Sequence, residues 1–116
     1  MPQTGLRGSY KLDIETIDRV VTRTSAGAYA LGRVEDNTFY VSYVGRSDDD
    51  INRRLKDWVG KYSRFKFEYY GSPKAAFEKE CNLYHDFGGK ETLDNDIHPQ
   101  RPEETNWKCP RCNIFE

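Results

Sequence analysis

Residues 27–33 (GAYALGR) and 38–44 (TFYVSYV) are rich in aromatic and β-branched side chains, and Asp36-Asn37 lies between them. Two strand-like runs separated by a turn signal predict an antiparallel β-hairpin. A hairpin cannot stand alone in water, so more of the chain must pair with it or cover it. Residues 64–70 (RFKFEYY) alternate Phe65, Phe67 and Tyr69 against Lys66, Glu68 and Tyr70, which predicts a third strand.

The covering elements are legible from caps and stripes. Residues 50–60 read as a helix, with Asp50 as cap, Ile51, Leu55, Trp58 and Val59 as an apolar stripe, and Gly60 as the stop. Residues 71–89 give the clearest helix, with Ser72 as cap, Pro73 in the first turn and Gly88-Gly89 at the end. Leu12, Ile14, Ile17, Val20 and Val21 suit a short helix near the start. The expected fold is α+β: a small three-stranded antiparallel sheet in β-β-α-β-α order, flanked by helices. Residues 1–26 form a lead segment packing on the domain, residues 27–100 the domain itself, and residues 101–116 an irregular tail. The length of 116 residues suits one domain with a modest core.

No apolar run approaches the roughly 20 residues of a membrane span, and no charged-then-apolar leader is present, so the expected setting is the cytoplasm. Thiols stay reduced there, and CxxC is read as a metal or redox motif. Net charge is −1, which gives no overall pull toward nucleic acid. The distribution is uneven. Residues 51–66 carry six basic side chains against one acidic, and residues 86–104 carry six acidic against two basic. A local basic patch can hold a phosphate backbone on a neutral protein. Charge alone favours the plainer reading of a solvated helix face.

Two charged residues sit where apolar ones belong. On the helix of residues 71–89, Ala76, Phe77, Leu83, Tyr84 and Phe87 make the inner face, and Glu80 lies within it. A carboxylate aimed inward needs an ion partner or a metal. Arg54 lies beside the stripe of Ile51, Leu55 and Trp58. Either the two pair with each other, or they line a cleft in which an arginine holds a phosphate and a carboxylate holds a cation.

Gly27-Ala28-Tyr29 on the first strand and Tyr43-Val44-Gly45 on the second resemble the paired signature of the GIY-YIG nucleases. Residues 45–58 resemble the segment that follows, in which a Gly-x-Ser/Thr turn leads to a helix arginine. Arg54 matches that arginine, with Arg53 as the alternative. Residues 72–80 resemble the later helix, where an alanine precedes the metal-binding glutamate by four; Ala76 and Glu80 match. Asn95 falls where the family often carries an asparagine. Ala28 stands in place of an aliphatic residue, and Trp58 where many members carry histidine.

The resemblance covers roughly residues 27–99 and implies hydrolysis of phosphodiester bonds by an endonuclease, with nucleic acid, expected to be DNA, as substrate. It implies one Mg²⁺ or Mn²⁺ held by Glu80, charge stabilisation by Arg54, and Tyr29 as base or water-positioning group assisted by Tyr43. Gly27, Gly45, Ser47, Asn95 and His98 would support the site. Arg46, Arg53, Lys56, Lys61 and Arg64 are the candidate contacts to the nucleic acid. Oligomeric state is left open, with a monomer favoured.

The stretch after residue 89 holds three of the five prolines and the motif Cys109-Pro110-Arg111-Cys112. It lacks periodicity and needs something besides a core to order it. CxxC is half of a tetrahedral metal site. Cys81 and His85 are four apart on the helix that carries Glu80, so they share a face rotated about 100° from it. Together the four residues predict a structural Cys3His zinc site, with His98 as the substitute if His85 is not used. Two other readings remain: a non-catalytic, zinc-stabilised nucleic-acid-binding module of the same fold, and a CxxC thiol oxidoreductase. The last is disfavoured, because CPRC does not follow a strand at the start of a helix.

Overall fold

The computed structural model describes residues 4–115. Its elements in chain order are β1 (Arg7–Lys11), α1 (Ile14–Val20), β2 (Gly27–Glu35), β3 (Thr38–Ser47), α2 (Ile51–Lys56), β4 (Arg64–Tyr69) and α3 (Pro73–Asp86), with a 3-10 turn at Gly89–Glu91. The sheet has four antiparallel strands in the order β1-β4-β2-β3, not the expected three. The added strand comes from the lead segment. Arg7–Lys11 pairs with β4 through a register irregularity and carries no continuous apolar alternation, which is why the sequence pattern is silent there.

The β2–β3 hairpin turns through Asp36 and Asn37 with φ of 50° and 63°. Both are left-handed, the geometry that matches the twist of paired strands in a two-residue turn. β2 is one of the two inner strands, paired with β3 on one side and β4 on the other. Residues 27–32 are all buried, as a strand covered on both faces requires.

The two faces of β2 explain its composition. Tyr29 and Leu31 point toward α1 and α2 and join Ile17, Ile51, Leu55, Phe65 and Phe67 in the larger core. Ala28 and Ala30 point the other way and meet Val44, Leu83, Tyr84 and Leu93 under α3. Small residues on that face let the helix lie close to the sheet. Gly27 has a similar cause: a Cβ there would come within 2.6 Å of the Ile51 side chain.

The caps fall as the sequence predicts. The Asp50 side chain accepts from the Arg53 amide, and that of Ser72 from the Ala75 amide. α2 is shorter than expected and ends at Lys56. Trp58 and Val59 lie in the turns that follow and still pack on the core. α2 is tied to α1 by Asn52, whose amide donates to the Val21 carbonyl at 2.9 Å, and by a Lys56–Asp18 pair at 2.6 Å. Among the described residues no helix is long and apolar enough to cross a membrane.

The free edge of β3 is closed by a side chain. Asn95 accepts from the Val44 amide at 3.0 Å and donates to the Val44 carbonyl at 2.8 Å, as a neighbouring strand would. The Asp94 amide donates to the Ser42 carbonyl at 2.7 Å. These bonds bring the segment after α3 back across the mouth of the sheet.

Candidate functional site

A cleft of about 700 Å³ opens between the β3–α2 turn, α3 and residues 95–100. Tyr29, Tyr43, Arg54 and Glu80 all line it, although they come from β2, β3, α2 and α3. Gly45, Ser47, Asn95 and His98 line it as well. Gly27 stands one strand pair away, opposite Ser47.

Tyr29 is 1% exposed, and its hydroxyl oxygen accepts from Trp58 Nε1 at 2.9 Å. Burial pushes its pKa well above the usual phenol value, while the Arg54 guanidinium and the Trp58 N–H pull it back. The residue facing Tyr29 across the hairpin is Gly45. A Cβ on Gly45 would run into the Tyr29 hydroxyl. The glycine is thus what lets the tyrosine reach the cleft. Tyr43 is half-buried, with its ring centroid 4.4 Å from that of Trp58. Burial and then Glu80 raise its pKa, and Arg54 lowers it.

Glu80 is 8% exposed and lies on the inner face of α3, as the helical spacing predicts. Its ion partner is Arg46, not Arg54. Arg46 Nη1 donates to Glu80 Oε1 at 2.6 Å, Nε to Asp48 Oδ1 at 2.9 Å and Nη2 to the Gln100 carbonyl at 2.7 Å. The guanidinium also lies 5.0 Å over the Phe77 ring. Burial pushes the Glu80 carboxyl up to about 7 against the pull of Arg46. Arg54 pairs loosely with Asp57 at 3.8 Å and extends into the cleft beside Tyr29.

The predicted nucleic-acid contacts divide. Arg46 and Arg53 line the cleft. Lys56 is engaged with Asp18, Lys61 lies 5.4 Å over the Trp58 ring, and Arg64 Nη2 donates to the Ser9 carbonyl at 3.1 Å. The turn acids are also spoken for: Asp48 by Arg46, Asp49 by Arg53 at 3.5 Å, and Asp50 by the α2 cap.

Sequence reasoning did not find the roles of Arg46 and Trp58. Arg46 had a usable signal. It is two residues from Val44, and the strand period puts both on the face toward α3, where Glu80 lies. Nothing in the spacing shows that the indole N–H meets Tyr29.

A second constellation lies beside the cleft. His85, His98, Cys109 and Cys112 present ligand atoms that all fall within 4.8 Å of one another, a set able to hold a metal such as zinc. This corrects the expected ligand set: His98 takes the place of Cys81. Cys81 is buried against Phe77 with its thiol toward Cys109 and is not among the four residues whose ligand atoms converge. Burial, and then the adjacent His98 ring, hold His85 below its ordinary value, in the neutral form that ligates. The tail is also less bare than expected, because Trp107 and Phe115 pack on Phe77 with centroids at 5.7 and 5.9 Å.

Comparison with protein-family models, with curated proteins and with solved structures finds no match.

Proposed function

We propose that the chain is a divalent-metal-dependent endonuclease of the GIY-YIG type that hydrolyses phosphodiester bonds of nucleic acid, with DNA as the first substrate to test. The observation that carries this reading is the meeting of Tyr29, Tyr43, Arg54 and Glu80 in one cleft from four elements. Each could have been explained away alone, Tyr29 and Tyr43 as strand packing and Glu80 as an internal ion pair.

The donor set suits a hard cation. One buried carboxylate is enough for Mg²⁺ or Mn²⁺ when water and phosphate oxygens complete the shell. A cation held by Glu80 would neutralise charge at phosphorus and help the leaving oxygen. Arg46 holds one Glu80 oxygen and must share or release it for this. Arg54, at the open side of the cleft beside Tyr29, stabilises the negative charge that develops on the transferring group. Tyr29 and Tyr43 hold the attacking water. Burial opposes ionisation of Tyr29, while the nearby Arg54 charge and the Trp58 N–H on its oxygen favour it. The His/Cys cluster stands outside this chemistry, since a closed set of four ligands leaves no open position and makes its zinc structural.

The test is cleavage of plasmid, duplex, flap and branched DNA with Mg²⁺ or Mn²⁺, comparing wild type with Glu80→Ala. The expected result is metal-dependent cutting that falls by about 10² or more in the variant. One observation favours the non-catalytic binding module instead: Arg46 already neutralises Glu80. Absence of cutting on every substrate, with binding retained by both proteins, would replace the nuclease reading with that one.

A further inference from the structure

We propose that His85, His98, Cys109 and Cys112 bind one zinc ion, and that this ion positions residues 97–100 as a wall of the cleft and so fixes the Arg46–Glu80 pair. The ligand half of this inference does not depend on the nuclease reading. The wall half concerns the same cleft, but its readout is structural and needs no cleavage.

Three of the six ligand–ligand distances are close to those of a tetrahedron, and all six fall within 4.8 Å. With Zn–N of about 2.0–2.1 Å and Zn–S of about 2.3 Å, tetrahedral angles put nitrogen about 3.3 Å from nitrogen and about 3.6 Å from sulfur. In the structure the two Nε2 atoms are 3.2 Å apart. Cys109 Sγ is 3.4 Å from His85 Nε2, and Cys112 Sγ is 3.4 Å from His98 Nε2. The surrounding contacts set the ligand states. His98 Nδ1 is 2.8 Å from the Pro99 carbonyl, which can only accept, so Nδ1 carries the proton and Nε2 presents its lone pair to the cluster. The Arg111 amide donates to Cys109 Sγ at 3.4 Å, a bond that favours the thiolate.

The same ligands reach the cleft by two short routes. His98 is followed directly by Pro99 and Gln100, and all three line the cleft. The Gln100 carbonyl accepts from Arg46 Nη2, while Arg46 Nη1 holds Glu80. His85 is on α3 with Glu80, so an ion shared by His85 and His98 fixes α3 against residues 97–100. Among the described residues, positions 96–101 take part in no backbone–backbone hydrogen bond that would hold this wall otherwise. Phe77 adds a parallel contact, since Arg46 lies over the ring that Trp107 and Phe115 pack against.

The experiment uses the full chain. Zinc content is measured on wild type, His98→Ala and Cys81→Ser, and X-ray absorption at the zinc edge counts ligands in wild type, where folding of a variant is not at issue. The expected result is one zinc per chain with two sulfur and two nitrogen neighbours, lost in His98→Ala, regained in His98→Cys and kept in Cys81→Ser. No zinc, or three sulfurs and one nitrogen with zinc lost in Cys81→Ser, would overturn the ligand set. The wall is read from the side-chain Nε–H resonance of Arg46, assigned by its absence in Arg46→Lys. Stripping zinc with a chelator should broaden or remove this resonance while β2 and β4 amides stay in place. An unchanged Arg46 signal with shifted Trp107 would mean that the ion holds only the tail. Loss of the β2 and β4 signals as well would mean that it holds the whole fold, and either outcome overturns its role in the wall.

Discussion

Between β1 and α3 the chain buries Tyr29, Leu31, Phe65, Phe67 and Phe77 with almost no exposure, and three helices cover a hydrogen-bonded sheet. Among residues 96–115 only Pro99 and Cys109 are buried, and order there rests on side chains that converge on one point. The first region is stabilised by apolar area removed from water, a term spread over many contacts. The second depends on four ligand atoms and a few rings. The two regions should therefore fail differently. Erosion of the sheet core should be graded and indifferent to metal. The tail should depend on one ion.

The largest stability effect expected from a single side chain is on the sheet side. Phe67→Ala removes a ring that packs on Phe65, Tyr10 and Tyr69 and should cost about 3–5 kcal/mol. Denaturant unfolding with zinc and with a chelator should give the same difference between variant and wild type. Trp107→Ala, on a half-buried ring in the tail, should cost less, and its cost should change when the metal is removed. Equal metal dependence for both variants would erase the distinction between the regions.

Arg46 sharpens the comparison because it belongs to both regions, bonding Glu80 on α3 and the Gln100 carbonyl beyond it. Glu80 has its folded-state pKa raised to about 7, above the ordinary carboxyl value near 4.5. Between those values the folded chain binds more protons than the unfolded one. Stability from this group is therefore fully present below about pH 4.5 and is lost as pH rises through about 7. Removing Arg46 takes away the counter-charge and raises the carboxyl further. Arg46→Ala should cost about 3 kcal/mol at pH 8, where a charge is left buried, and clearly less at pH 5, where Glu80 is protonated. Thermal unfolding at the two pH values checks this, and Arg46→Ala/Glu80→Gln should remove the pH dependence. Mn²⁺ binding and cleavage should rise with pH through about 7 for the same reason, since a cation needs the ionised carboxylate.

How far the fold was legible follows the same division. The hairpin, its turn at Asp36-Asn37, the caps at Asp50 and Ser72 and the inward Glu80 were readable because each follows from a local rule of period or capping. β1 was not, since its five residues carry no alternation and are fixed by pairing with β4. At the metal cluster, Cys109, Cys112 and His85 were found by spacing along the chain. His98 displaced Cys81 because ligation is decided by where Asn95 and Asp94 bring the chain back across β3, a contact at long separation. Of the two readings that helix faces left open for Arg54 and Glu80, the shared cleft holds and the direct pair does not, because strand period puts Arg46 against Glu80. Four catalytic candidates falling in one cleft is more than their spacings required.

Trp58 gives the smallest expected effect and the finest discrimination. It is a polar contact inside the apolar region, with its indole N–H on the Tyr29 hydroxyl at 2.9 Å and its ring against Tyr43. Trp58→Phe keeps most of the ring packing and deletes the donor. The net value of one such bond is about 1 kcal/mol, so stability should fall by about that much. The Tyr29 phenol would also lose its Trp58 donor, which with the Arg54 charge opposes the effect of burial, so its pKa should rise further. A tyrosine that serves only as core packing would show the stability change alone. One that must approach ionisation would also show cleavage falling out of proportion to that change, with the loss easing as pH is raised. Measuring kcat against pH for wild type and Trp58→Phe separates the two, because packing does not titrate and a phenol does.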